Sequence, residues 1–145
     1  MTKTCHMAVR DAIIAALQQA PALAGGRIVG NRRRPMAEQH PSQIYVYLEE
    51  SEPSVSTIGT TDWRTRIRIE CAARSAAGMP SEDACDALAV SVFGRVMADQ
   101  SLGGAAIDTT TQGIAWAEDE FETTLSVCHQ LFTVWHMTPE KTITA

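Results

Sequence analysis

The sequence predicts an α+β fold: a mainly antiparallel sheet of four to five strands with two helices packed on one face. Three observations predict it. Two segments repeat apolar residues at three- and four-residue steps, the mark of an amphipathic helix. Several others alternate apolar and polar residues, the mark of a half-buried strand. The strands run in groups, with the helices at separated points between them, and this favours hairpins over parallel crossovers.

Residues 4–20 form the first predicted helix. Val9, Ala12, Ile13, Ala16, Leu17 and Ala20 share a stripe, Pro21 stops it, and Gly25-Gly26 marks a turn. Arg27-Ile28-Val29 suits a short strand. Gly30 to Pro41 reads as a loop with Pro35 and Pro41 as breakers. It carries Arg32, Arg33 and Arg34, three adjacent like charges that resist burial. The segment is therefore expected to stay extended or mobile until a partner neutralises it.

Residues 43–49 alternate as a strand. Ile44, Val46 and Leu48 point to the core, while Tyr45 and Tyr47 point outward or towards a neighbouring subunit. Residues 50–61 read as a loop or a loosely paired hairpin. Residues 62–73 give the clearest strand: Thr65, Ile67, Ile69 and Cys71 share one face, and Arg64, Arg66, Arg68 and Glu70 the other. A one-residue slip would bury four charges, so the register is firmly set.

Ser75 to Pro80 connects to a second helix that reaches about Ala98. Ser81 suits its N-cap, and Glu82 and Asp83 suit the positive end of its dipole. Cys85, Leu88, Ala89, Val92, Val96 and Met97 form its stripe. Residues 105–116 and 122–135 are the last strands. Gln112-Gly113 marks a bend or bulge, and the acidic stretch Glu118 to Glu120 a hairpin turn. The final strand is apolar on both faces, as expected of a central or partner-covered strand. His136 onward reads as a thin polar tail. The chain is thus read as one domain, 1–136, with a C-terminal tail, 137–145.

The 145 residues match one domain, since domains cluster at roughly 100–150 residues. The longest apolar run, Ala12 to Leu17, falls well short of the about 20 residues a membrane span needs. It is also short for a signal peptide. The net charge of −5 argues against a general DNA-coating protein, which is usually basic. The signs are unevenly placed, however. Basic clusters at 27–34 and 64–68 contrast with acidic ones at 49–52 and 118–122. Ten of the 12 basic residues are arginine, which favours ordered bidentate contacts.

Chemistry is sparse. No nucleotide-binding, zinc-protease or serine-hydrolase signature is present. Cys5-His6 and Cys128-His129 are wide apart, and the second pair lies on a strand, where adjacent side chains point to opposite faces. Ordinary free thiols are the simpler reading, and no metal, cofactor or catalytic residue is assigned. Trp63 is read either as an edge aromatic closing the core or as an interface anchor. Tyr45 and Tyr47 carry the same two readings. Arg32, Arg33 and Arg34 suit DNA phosphates, an acidic protein surface or a solvated loop.

Taken in order, the segments A-V-R-D-A-I-I-A-A-L, R-I-V-G-N-R-R-R-P, P-S-Q-I-Y-V-Y-L-E, T-D-W-R-T-R-I-R-I-E, D-A-C-D-A-L-A-V-S-V-F-G-R-V and L-F-T-V-W resemble the tail terminator proteins of long-tailed bacteriophages, the minor tail protein U group. The resemblance covers roughly residues 5–136 and stops short of the triple arginine and of residues 50–61. It implies a non-enzymatic virion protein of the tail and neck, assembled in the host cytoplasm. Such proteins form a hexameric ring that caps the head-proximal end of the tail tube, stops its growth and presents a surface for head–tail joining. The implied partners are further copies of the chain, the tail tube protein and the head–tail connector protein, with no membrane. DNA passes through the channel without sequence-specific binding, and an acidic lumen would keep it from sticking. Arg32, Arg33, Arg34, Tyr45, Tyr47, Trp63, Arg64, Arg66 and Arg68 are the candidate subunit or tube/connector interface. Another neck component is the alternative within that class, and a small α+β ligand-binding domain or enzyme the alternative outside it.

Overall fold

A computed structural model describes residues 2–32, 35–37, 39–54, 57–118 and 124–145. Its elements are α1 (Cys5–Gln18), β1 (Ile28–Val29), β2 (Ser42–Pro53), β3 (Thr60–Arg74), α2 (Ser81–Met97), β4 (Asp108–Glu118) and β5 (Leu125–Pro139). The five strands form one sheet in the order β1-β2-β3-β5-β4. All pairs are antiparallel except β1 with β2. Both helices cover one face, so the α+β reading holds.

Local chemistry explains the elements. Thr4 caps α1 by accepting from the amide of Met7 at 3.1 Å. The helix ends at Gln18, ahead of Pro21, and Gly25 and Gly26 make the following turn at φ +62° and +83°. Arg95 of α2 then reaches the end of α1. Its guanidinium donates to Gln19 O at 2.9 Å and Pro21 O at 2.5 Å and also approaches Ala16 O at 3.2 Å. One fixed fork thus satisfies several terminal carbonyls and ties the two helices together.

The core lies between the helices and the sheet. Val9, Ile13 and Leu17 of α1 meet Ile44 and Val46 of β2, Ile67 and Ile69 of β3, Val92 and Val96 of α2, and Phe132 of β5, all fully buried or nearly so. Each large side chain buried here stabilises by about 1.5–3 kcal/mol. Gln130 enters the same layer and is held by donating from Nε2 to Ala89 O at 2.7 Å. Gln100 and Thr109 exchange side chain-to-backbone hydrogen bonds at 3.0 and 2.9 Å, fastening the segment after α2 to the start of β4.

Some expectations hold and others need correction. Of the two readings of residues 50–61, the paired hairpin holds at the described ends, since residues 50–53 continue β2 and Thr60 and Thr61 belong to β3. Pro80, not Ser81, is the N-cap of α2; the Ser81 hydroxyl instead meets Ser126 Oγ at 2.8 Å. The expected tail is a strand as far as Pro139, and Thr144 then bridges back to Thr4 beside α1. The bulge at Gln112-Gly113 appears as a register shift between Thr111 and Gly113. The acidic turn lies outside the described residues, apart from the backbone of Glu118.

Candidate assembly interface

β3 is the spine of the candidate site. Its alternation sends Arg64, Arg66, Arg68 and Glu70 to the sheet face away from the helices. Tyr45 and Tyr47 of β2 share that face. They are not outward-facing, as their alternation suggested: Tyr45 is 3% exposed and Tyr47 8%. The cause is the segment after β1. Met36 packs with Tyr45, Ala72, Leu125 and Val127 as a second, smaller core. Arg32 lies over the Tyr47 ring, 4.7 Å from its centroid. Arg74 donates to Met36 O at 3.0 Å and holds the segment down. The described part of this loop is therefore packed, not extended. Arg33 and Arg34 lie outside the described residues.

Under Arg32 the charges are ordered. Tyr47 donates to Glu70 Oε1 at 2.5 Å. Burial, and then that hydrogen bond, push the Tyr47 hydroxyl well above its ordinary range, so it stays a donor. His129 Nδ1 sits 3.3 Å from the same Glu70 oxygen and 3.5 Å from Arg68 Nη1. Arg68 donates through Nε to Glu49, and Arg66 pairs with Glu50 at 2.5 Å. Arg64 stacks over Trp135 at 4.4 Å. Sequence reasoning put Tyr45 and Tyr47 on one face with Arg64, Arg66 and Arg68, and they do share it; that Arg32 folds back onto the same face was not legible. Sequence reasoning also missed that Glu49 and Glu50 already neutralise Arg68 and Arg66 within the chain.

Trp63 is on the opposite face. Its ring meets His6 edge-on at 4.8 Å, and its Nε1 donates to Thr138 Oγ1 at 2.9 Å. His6 in turn meets His136 edge-on at 4.9 Å. The tryptophan thus closes the end of its own sheet. Cys128 opposes Cys71 on the helix side while His129 lies on the other, so the Cys128-His129 pair is split between faces.

A second surface escaped the sequence reading. β4 is an edge strand, and Ile114 and Trp116 are 47% and 57% exposed on its helix side. Val90 and Phe93 of α2 face them, 68% and 40% exposed. Together with Asp86, Ala89 and Gln130 they line a groove of about 300 Å³. An adjoining pocket of about 450 Å³, against the same Trp116, is lined by Glu82, Asp83 and Asp86. The signal was present in outline: Val90 and Phe93 are apolar but lie off the stripe of α2, and residues 109–117 carry no charge.

No family model matches the sequence, and no curated protein matches it. The fold does match solved structures. It is similar to a chain of the virion of a native gene transfer agent particle, with a TM-score of 0.59 at 14% identity over 89% of this chain and 94% of that one.

Proposed function

We propose that the chain is a non-enzymatic structural subunit of a phage-like virion and, within it, the tail terminator. In this reading it forms a hexameric ring on the head-proximal end of the tail tube. The ring stops tube growth, presents the surface for head–tail joining, and lets DNA pass through its channel. The observation that carries the reading is the fold shared, over nearly the whole of both chains, with a component of a gene transfer agent virion. The order of sequence segments supports the narrower assignment.

The partners in this reading are further copies of the chain, the tail tube protein and the head–tail connector protein. Arg32, Arg33, Arg34, Tyr45, Tyr47, Trp63, Arg64, Arg66 and Arg68 are proposed as its contact region, with a distinction among them. Tyr45 and Tyr47 support the arginine face from beneath, whereas Trp63 contributes from the opposite face, at the end of the sheet. The arginines and the charged rim present the contact surface.

Light scattering with negative-stain imaging, over a range of concentration and salt and with and without tail tubes, tests the reading. Sixfold rings, free or on tube ends, are the expected result. A stable closed dimer that ignores tubes would overturn it. Tails made without the protein should be abnormally long; tails of normal length would assign the chain elsewhere in the neck.

A further inference from the structure

We propose that the groove between α2 and β4 is the seat for the arginine loop of a second copy of this chain. The inference rests on the ring reading and names its subunit contact. Three observations carry it.

The first is exposure. Val90, Phe93, Ile114 and Trp116 form one apolar wall, and β4 beside it is an edge strand with no charged residue from Thr109 to Ala117. Edges of monomers are usually guarded by charge or covered. The bulge in β4 does not cover this wall.

The second is charge. Two acidic groups of the chain, Glu49 and Glu50, are already paired with Arg68 and Arg66. Glu82, Asp83 and Asp86 have no ion pair among the described residues, and they stand at one end of the groove. The chain's densest run of positive charge, Arg32, Arg33 and Arg34, supplies the opposite sign. Arginine suits both parts of the groove: its guanidinium pairs with carboxylates and stacks on an indole such as Trp116, while its stem covers apolar surface.

The third is placement. The loop leaves β1 at one edge of the sheet, and the groove lies on β4 at the other. The described part of the loop lies over the sheet face away from the helices, and the groove lies on the helix side of β4, so the contact joins two different surfaces. Such a contact is heterologous: it leaves one of each surface free and closes only as a ring. A groove-to-groove contact would instead close as a dimer.

The experiment has two parts. A benzophenone amino acid placed at Phe93 should crosslink, on illumination, to residues 27–37 of another copy, as mapped by mass spectrometry. Adducts on other surfaces, or none between copies, would overturn the contact. In the second part, Val90→Asp with Trp116→Ala removes the groove, and Arg32→Ala, Arg33→Ala and Arg34→Ala remove the loop. Val90, Trp116 and Arg32 are exposed, and thermal melts check folding. Each variant alone should fall to the 15.7 kDa monomer. Mixed, they should form a 1:1 heterodimer of twice that mass, because each retains one working edge. Either variant holding the wild-type assembly would sink the contact. Sixfold rings with adducts elsewhere would sink it while leaving the ring reading standing, whereas a groove-to-groove dimer would sink both.

Discussion

Tyr47 donates its hydroxyl hydrogen to Glu70 at 2.5 Å across the β2–β3 pair, directly below the guanidinium of Arg32. The bond is diagonal, since Tyr47 stands opposite Arg68 and Tyr45 opposite Glu70 in the register. It explains why a carboxylate on a charged strand can be 6% exposed: a buried charge needs donors, and the phenol is one of them. Tyr47→Phe keeps the ring under Arg32 but removes the donor. The variant should lose about 1–3 kcal/mol of stability in urea unfolding, with an unchanged slope. Wild-type stability in this variant would show that the hydroxyl adds nothing to holding Glu70.

Arg95 gives a second case of one side chain serving several backbone groups. Arg95→Ala removes the charge-assisted bonds at the end of α1, leaves the part-buried Ala16 carbonyl without that donor and unlinks the helices. The expected cost is about 1–3 kcal/mol. Arg95→Lys should recover only part of it, because a point charge cannot imitate the planar fork. Denaturant melts of the three proteins decide the order, and a lysine variant equal to wild type would reduce the contact to simple charge at a helix end.

The contrast between Ile67 and Tyr45 shows what was legible. Alternation placed Ile67 and Ile69 in the core and the arginines opposite, because a slip of one residue would bury charge. The same alternation put Tyr45 and Tyr47 on the second face but could not say whether that face was covered. Covering it takes Met36 and Arg32, which fold back from a loop whose composition reads as solvated. Such a return is set by tertiary packing and not by local pattern. The candidate site divides in the same way. The arginines were legible as charge clusters. Their partners Glu49 and Glu50 were visible only as another cluster, since cross-strand pairing depends on where β2 and β3 meet. Val90, Phe93 and Trp116 looked like ordinary apolar residues until the strand order put β4 at an edge.

Acid should weaken the fold through its buried histidines. His136 Nε2 lies 2.6 Å from Thr65 Oγ1, and the His6 ring of α1 packs against it. Burial, helped by His6, holds His136 down at about 4, and burial lowers His6 as well. The unfolded chain titrates these groups near 6.5, so it takes up protons first as the pH falls. Stability from this source is full above 6.5, declines below it, and stops declining near 4, where folded His136 also protonates. The loss from His136 is on the order of 2–3 kcal/mol. Urea unfolding at pH 7.5, 6 and 5 should show the decline, and His136→Gln should flatten it. Equal slopes in the two proteins would remove His136 as the cause.

The thiols offer a direct test of the packing between α2 and the sheet. Cys71, Cys85 and Cys128 are fully buried there, and Cys85 Sγ donates to Cys71 O at 3.2 Å. Burial raises all three: Cys128 to about 11, Cys85 to about 12 and Cys71 well above its ordinary value. The thiolate is the reactive form, so loss of both access and ionisation protects them. Cys5 lies at the start of α1 and is only half-buried. Native protein at neutral pH should therefore label rapidly at Cys5 alone, with the core thiols slower by roughly two orders of magnitude or more. In denaturant all four should react together. Rapid labelling of a second thiol in the native protein would mean that α2 lifts from the sheet. Because the groove wall is built on the same helix, the labelling rate also reports whether that wall is present before a partner docks.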